Sequence, residues 1–168
     1  TAYSLTAALS VPYWGVRALR DPAFRESLRQ RLGREPPPRK ARSPRVWVHC
    51  SSVGELNAAR TFIDALPGRF PGCECVISTY TDTGQALARK RYGTDRTFLF
   101  PIDFSWIVRR VMRAVRPDLL VLMESEIWPN TLELAQKSGV PLLWVNGRIE
   151  EGALRLWKPW RRLLGWTL

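Results

Sequence analysis

Short apolar runs alternate with longer amphipathic segments over most of the chain. The apolar runs have the length and the aliphatic or β-branched content of strands, and they lie at residues 46–48, 75–77, 97–100, 118–123 and 141–145. The segments between them predict helices at residues 55–66, 82–92, 105–115 and 129–138. This alternation predicts an α/β fold with a Rossmann-like, doubly wound parallel sheet.

The longest apolar run indicates how such a sheet is covered. Residues 119–123 read Leu-Leu-Val-Leu-Met, and a strand that is apolar on both sides needs helices on both faces of its sheet. In open sheets of this kind, ligands bind beyond the carboxyl ends of the strands, in the loops that lead into the helices. Functional residues are therefore expected in those loops.

The residues before the first strand are interpreted as a separate appendage. Residues 33–44 are rich in proline and basic residues, which predicts a stiff linker. We predict a membrane-associating helical segment at residues 1–33, the linker at 34–45 and a Rossmann-like domain at 46–168. The apolar stretch 2–16 is too short to span a bilayer, and the arginines after it suit an anchor on an anionic membrane surface. A helix packed on its own domain explains this pattern equally well.

Aromatic and basic residues are mixed again at residues 154–166. Such mixtures are favoured at lipid headgroups, but a helix that packs against a second domain is the preferred explanation. The chain begins with Thr1 and ends inside this stretch without a helix-ending signal. We therefore expect the sequence to be a piece of a longer protein.

The net charge narrows the choice of partner. The 168 residues include 26 Lys and Arg against 15 Asp and Glu, which gives a formal net charge of +11. Such an excess implies an anionic partner, and nucleic acid, anionic lipid and a phosphorylated small molecule all qualify.

Cysteine and histidine usage restricts the chemistry. The three cysteines lack zinc-type spacing and nothing resembles a secretory signal, so a reducing compartment is expected. The single histidine, His49, excludes a metal site built on several histidines within this chain. Cys50 follows it in an apparent strand and should point to the opposite face, which argues against a Cys-His dyad.

The loop after the first strand carries a candidate acid. Residues 49–55 read His-Cys-Ser-Ser-Val-Gly-Glu, with neither the glycine pattern of a dinucleotide-binding loop nor the lysine of a P-loop. Ser52 and Glu55 have the spacing of a capping box, which is the interpretation that the residues alone favour. A functional Glu55 would instead turn its carboxylate into the cleft and accept a proton from a sugar hydroxyl, a role that requires partial desolvation.

Two further acids follow the fourth strand, in the string MESEIWPN at residues 123–130. Strand alternation predicts that Glu124 shares a face with Leu120 and Leu122, so an acid directly follows buried positions. A buried acid requires a partner, and Glu124 is therefore a candidate functional residue. Glu126 is explained by favourable charge near a helix N-terminus.

Three other loops supply polar groups at the same predicted edge, at residues 78–84, 101–103 and 146–148. Thr83 and Gly84 open a predicted helix whose backbone N–H groups are placed to hold a phosphate. A solvated cap at Asp82 explains the same residues more simply.

Together these loops resemble the N-terminal half of the Kdo (3-deoxy-D-manno-octulosonic acid) transferases. The similarity rests on SVGE at residues 52–55, TYTDTG at 79–84, PID at 101–103, MESEIWPN at 123–130 and NGR at 146–148. The motifs occur in this order over nearly the whole chain, and the Met-Glu-x-Glu-x-Trp-Pro-Asn string is the most specific of them. Cys50 stands where small residues are usual and Gly147 where alanine is common, but neither departure touches a carboxylate.

The resemblance implies the N-terminal half of a GT-B glycosyltransferase, in which two Rossmann-like domains face each other across a cleft. Members of the family transfer Kdo from CMP-Kdo to the lipid A precursor (lipid IVA) at the cytoplasmic face of the bacterial inner membrane, with no cofactor and no required metal ion. By this analogy residues 46–168 bind the acceptor, CMP-Kdo binds mainly in a C-terminal domain outside this chain, and the isolated chain should be inactive. The implied partners are the lipid A precursor and an anionic membrane surface, with no nucleic acid.

The same analogy implies roles for individual residues. Glu55 becomes the general base that deprotonates the acceptor hydroxyl, against the capping-box interpretation, and Glu124 becomes a second essential acid of the cleft. Substrate contacts are predicted for residues of the same loops, namely Ser52, Gly54, Thr83, Gly84, Glu126, Trp128, Asn130, Asn146 and Arg148. No residue is predicted to bind a metal.

Two other functions fit parts of the pattern. A related GT-B glycosyltransferase with a different donor or acceptor sugar would use the same half-domain geometry. A nonenzymatic basic module for nucleic acid would explain the charge, but it predicts aromatic residues interleaved with arginine on one face. Glu55 and Glu124 at the carboxyl edge of the sheet, rather than cations alone, would favour the glycosyltransferases.

Overall fold

The computed structural model describes residues 15–39, 43–124 and 127–147. Its helices are α1 (Pro22–Arg31), α2 (Val53–Arg69), α3 (Asp82–Tyr92), α4 (Ser105–Val115) and α5 (Pro129–Lys137). Its strands are β1 (Arg45–Cys50), β2 (Glu74–Thr79), β3 (Thr97–Leu99), β4 (Leu119–Met123) and β5 (Leu142–Val145). Residues 15–20 are helical as well. The predicted alternation of strands and helices is confirmed.

The strands form one parallel sheet in the order β3-β2-β1-β4-β5. Every residue of the central strand β1 is buried, because β1 has a strand on each side and helices above and below. The chain moves outward from β1 to β3 and then returns to place β4 on the other side of β1. This is the doubly wound order that the sequence predicts, and its topological switch point lies between β1 and β4.

Alternate side chains of the strands feed two apolar cores. One core joins Val48 and Val121 to Leu56 and Ile63 of α2. The other joins Trp47 and Leu122 to residues of α4 and α5. Both faces of the sheet are therefore covered, as the apolar run of β4 predicts. Within the described residues, no helix combines the length and the apolar content needed to cross a bilayer.

Helix α1 packs on the sheet domain. The main-chain N–H of Ile102 donates to the carbonyl of Arg31 at 2.9 Å. At Gly33, whose φ is +69°, a Cβ would come within 2.8 Å of the Val111 side chain, so the chain passes α4 at close range. Membrane association of residues 1–33 stays a prediction, and residues 1–14 lie outside the described residues.

A buried arginine fastens the chain at the amino edge of the sheet, where the strands begin. Arg45 is 3% exposed and pairs with Glu74 at 2.7 Å. Its guanidinium also donates to the carbonyls of Pro37, Pro38 and Val115, at 3.0 to 3.1 Å. These bonds hold part of the expected linker against the domain.

Candidate functional site

The two predicted acids flank the topological switch point at the carboxyl edge of the sheet, where the strands end. Glu55 lies in the first turn of α2, which follows β1. Glu124 directly follows β4, the neighbour of β1. The chain leaves these two strands toward opposite faces of the sheet, and open α/β sheets bind ligands at such a point.

Glu55 is buried, with 7% of its surface exposed. Ser52 is the N-cap of α2, and its hydroxyl accepts the main-chain N–H of Glu55 at 3.3 Å. The Glu55 carboxylate accepts a hydrogen bond from the N–H of Ser51 at 2.7 Å. A regular capping box would use the N–H of Ser52 instead. The serine half of the box is thus present, while the carboxylate reaches one residue further back, to the end of β1.

Glu124 has a left-handed backbone conformation, with a φ of +56°. Its main-chain N–H donates to the carbonyl of Val145 at 2.9 Å, which extends the pairing of β4 with β5 by one bond. Because β4 ends at Met123 and the chain turns at the next residue, strand alternation no longer fixes the direction of the Glu124 side chain, and its place on the face of Leu120 and Leu122 stays a prediction. A residue other than glycine rarely adopts this conformation, and such residues occur often at functional sites.

Burial and the charges of both acids contribute to the raised pKa of the Cys50 thiol. Burial is the largest cause that raises the pKa of Cys50, and the charges of Glu55, Cys75 and Glu124 raise it further. Both carboxylates are therefore near enough to act electrostatically on one buried sulfur atom. The same environment keeps Cys50 protonated, which argues against a role as a nucleophile.

A group of stacked aromatic rings lies at the same edge of the sheet as the two acids. Trp128 stacks on Tyr80 with ring centroids 5.1 Å apart and also contacts Phe100 at 5.0 Å. Below them His49 stacks on Phe100 at 3.9 Å. Burial lowers the pKa of His49 to about 3, against the opposing effect of its hydrogen bond to the Ser78 backbone. The histidine is a neutral ring in the core, and Cys50 packs in the core on the other face.

Arg31, which the sequence analysis groups with the arginines of the membrane anchor, packs beside Tyr80 at this edge of the sheet. Its guanidinium lies 4.9 Å from the centre of the Tyr80 ring and donates to the Tyr80 carbonyl at 2.6 Å. It also pairs with Asp82 at 3.3 Å. The pattern of α1 contains no signal for this contact, because it depends on where α1 packs and not on its own periodicity.

Several predicted substrate-binding residues serve the local structure. The Asn130 amide donates to the carbonyl of Asp103 and accepts from the Ser105 hydroxyl, both at 2.6 Å. The main-chain N–H of Gly84 donates to the Thr81 hydroxyl, the N-cap of α3. Thr81, and not Asp82, is therefore the cap, and this N–H is already bonded within the protein.

Three other predicted contacts lie at exposed positions of the described chain. Gly54 is exposed, and a Cβ there would meet only the Ser52 hydroxyl, at 3.6 Å. The fold itself does not require glycine at this position. Thr83 and Asn146 are exposed, whereas Glu126 and Arg148 lie outside the described residues. For each of these residues, substrate binding stays a prediction.

Asp103 is a buried acid with a structural explanation. It is 6% exposed and accepts hydrogen bonds from the main-chain N–H groups of Asn130 and Thr131, both at 2.9 Å. The Thr131 hydroxyl adds a third bond at 2.8 Å. Because Trp128 at the N-cap of α5 has no capping oxygen, Asp103 supplies the cap from the loop after β3.

Comparison with known proteins covers most of the chain. Residues 26–168 match the family model described as 3-deoxy-D-manno-octulosonic-acid transferase (kdotransferase). A 3-deoxy-D-manno-octulosonic acid transferase of Chlamydia pneumoniae is 32% identical over 143 residues, which is 83% of this chain and 32% of that protein. The enzyme of that name in Bordetella pertussis is 34% identical over 116 residues, 66% of this chain and 27% of that protein.

A bifunctional glycosyltransferase/methyltransferase of Fusobacterium nucleatum subsp. nucleatum is 31% identical over 122 residues, 71% of this chain and 19% of that protein. The chain thus spans about a third, or less, of the length of these curated relatives. The matched region includes β1 to β5 with their loops. On this evidence the chain belongs to the Kdo transferase family, of which it carries the N-terminal α/β domain.

Proposed function

We propose that this chain is the acceptor-binding half of a Kdo transferase. The full-length enzyme would transfer Kdo from CMP-Kdo to a hydroxyl of the lipid A precursor, with Glu55 as the general base. The observation that carries the proposal is the placement of Glu55 in the first turn of α2 and of Glu124 directly after β4, on either side of the switch point. CMP-Kdo would bind mainly in the C-terminal domain of the full-length enzyme.

Glu55 has the properties that a general base needs. It is fixed by the Ser51 N–H and lies on a helix whose first turn is capped by Ser52, so its carboxylate is held in one place. Its burial keeps bulk water from competing for the reacting proton. An acceptor hydroxyl within hydrogen-bond reach of this carboxylate would lose its proton as it attacks the anomeric carbon of Kdo.

The residues around Glu55 suit a sugar acceptor. The rings of Tyr80 and Trp128 offer an apolar surface for the CH faces of a sugar, and the ion pair of Arg31 with Asp82 lies beside Tyr80. Gly54 leaves space above the first turn of α2. These groups all lie on the same edge of the sheet as the two acids.

We place the enzyme at the cytoplasmic face of the bacterial inner membrane. Support comes from residues 15–31, where Leu19 is 81% exposed and Val16 is 50% exposed. Arg17, Arg20 and Arg25 lie among them and are suited to anionic headgroups. A related glycosyltransferase with another donor or acceptor would share this half-site, so the substrates themselves must be tested.

The test is a transfer assay with full-length enzyme, CMP-Kdo and lipid A precursor, comparing wild type with Glu55→Gln. Glutamine still accepts the Ser51 N–H but is a far weaker base, so the fold is kept while turnover should fall about 10²- to 10⁴-fold. Glu133→Gln is the matched control, because Glu133 is exposed on α5 and pairs only with Lys137 among the described residues. A loss of only a few-fold in Glu55→Gln would show that Glu55 is not the general base. Wild-type enzyme that does not turn over CMP-Kdo and lipid A precursor would show that these are not its substrates.

A further inference from the structure

A cavity lies at the amino edge of the sheet, the edge opposite Glu55 and Glu124. It has a volume of about 550 Å³ and lies between the C-terminal ends of α4 and α5. Its rim carries the cationic side chains of Arg39, Arg109, Arg113, Arg116 and Lys137, and its apolar lining includes Met112, Leu134 and Val140. The volume is in the range of sites for small molecules.

Part of this positive charge is neutralised within the protein. Asp118 pairs with Arg39 at 2.8 Å and accepts the main-chain N–H of Arg45 at 2.7 Å. Burial raises the pKa of Asp118, but these two partners outweigh it and hold the pKa below its ordinary value. Lys137 pairs with Glu133 on α5. The charge of Asp118 is thus already neutralised by Arg39. It does not neutralise the charges of Arg109 and Arg113 on α4.

Arg109 and Arg113 are exposed, and neither has an acidic partner in residues 15–39, 43–124 and 127–147. They are four positions apart on α4, where like charges repel each other. Arg113 in the last turn is favoured by the helix dipole, but Arg109 lies a full turn earlier, beyond the reach of that effect. The helix contains no acid in its sequence SWIVRRVMRAV to offset the repulsion.

Arg116 is unusual for its backbone. It is the C-cap of α4 with a φ of +47°, a left-handed conformation in which glycine is the common residue. Its side chain nevertheless lines the cavity, and its Nε donates to the carbonyl of Arg113 at 3.2 Å. The chain therefore carries a guanidinium where local conformation favours a residue without a side chain.

We propose that this cavity is a binding site for a phosphate-bearing anion of small-molecule size, held by Arg109, Arg113 and Arg116. The planar guanidinium groups match phosphate oxygens in pairs, and the apolar lining fits the non-charged part of such a ligand. The bound anion replaces the acid that α4 lacks. The site is separate from the switch point and does not depend on the proposed transfer reaction.

The experiment is a calorimetric titration of the purified protein with pyrophosphate at low ionic strength. The double variant R109Q/R113Q should lose about tenfold or more in affinity, because two charge-assisted contacts are removed. The control R60Q/R69Q removes the same charge from exposed positions of α2 and should change affinity by less than about threefold. The absence of saturable binding to wild type would overturn the proposal, as would equal losses in the two double variants, since diffuse charge explains both.

Arg116→Gly separates binding from folding. Glycine suits the left-handed C-cap, so the thermal midpoint should stay the same or rise while pyrophosphate affinity falls at least about threefold. Unchanged affinity in this variant would contradict the role of Arg116.

Sedimentation with phosphatidylcholine vesicles, with and without phosphatidylglycerol, identifies the source of the phosphate. If R109Q/R113Q loses affinity for both pyrophosphate and anionic vesicles, the anion is a lipid headgroup. If it loses pyrophosphate alone, the anion is soluble. Either result supports the site.

Discussion

The two edges of the sheet have opposite chemistry. The carboxyl edge carries two acids and a stack of aromatic rings, and Glu55 is almost fully buried. At the amino edge, arginines with few acidic partners surround an open cavity. The net charge of +11 is therefore not a uniform property of the surface. Charge alone suggests one anionic partner, whereas the structure places acids at one edge of the sheet and a group of arginines at the other.

A buried charged residue stabilises each edge of the sheet, a cation at the amino edge and an anion at the carboxyl edge. Arg45 joins the starts of β1 and β2 to the Pro-rich segment and the end of α4. Asp103 joins the loop after β3 to the start of α5. Stability measurements on the two residues test whether the edges are equally dependent on such anchors.

Arg45→Met should have the largest effect, with a loss of about 3 kcal/mol in the free energy of unfolding, because Glu74 and three carbonyls lose their donor. Urea denaturation followed by circular dichroism measures it. Arg60→Met is the control, since Arg60 is exposed and its pair with Asp64 is worth little. A loss below about 1 kcal/mol for Arg45→Met would show that water replaces the guanidinium and that this edge needs no anchor.

Asp103→Ala should cost about 2 to 3 kcal/mol, since α5 loses its cap and buried N–H groups lose an acceptor. The same denaturation experiment applies, with Asp82→Ala as the comparison because the Asp82 side chain is 71% exposed. Equal effects of the two substitutions would contradict the assignment of Asp103 as the cap of α5.

Acidification should weaken the fold through His49, the only histidine of the chain. Its pKa of about 3 in the folded protein lies below its ordinary value of 6.5, so the unfolded chain gains the proton first. Stability is full above about pH 6.5 and falls as the pH drops toward 3, with a loss of about 2 kcal/mol at pH 5 relative to pH 8. Urea midpoints across this range measure the slope. His49→Asn should flatten it even if the variant is less stable throughout, and a flat profile in wild type would place His49 in contact with water.

The sequence predicts most of the fold because periodicity and burial agree along it. Helices α3 and α4 were predicted with the bounds observed, and the strands differ from their predicted ranges by one or two residues at most ends. Apolar runs on buried strands and the amphipathic pattern of the helices contain this information locally. The pairing order of the strands agrees with the doubly wound sheet that the alternation of helices and strands predicts.

The site was predicted less completely, for reasons that single residues illustrate. Glu55 and Glu124 lie at the predicted edge, but the positive φ of Glu124 breaks the alternation from which its direction was inferred. The resemblance predicts substrate binding for Asn130, the last residue of the MESEIWPN motif, and the sequence gives no sign that its amide also bonds to Asp103 and Ser105 of another loop. Contacts between loops depend on tertiary packing, and periodicity within one element does not contain them.

Hydrogen bonds on either side of Tyr80 connect α1 to Glu55. Arg31 of α1 holds the Tyr80 carbonyl, the Tyr80 N–H holds the Ser51 carbonyl, and the Ser51 N–H holds the Glu55 carboxylate. Three hydrogen bonds in series thus connect the basic N-terminal helix to the proposed base. A displacement of α1 would thus act on the main chain of Tyr80 and Ser51, the two residues whose hydrogen bonds lead to the Glu55 carboxylate.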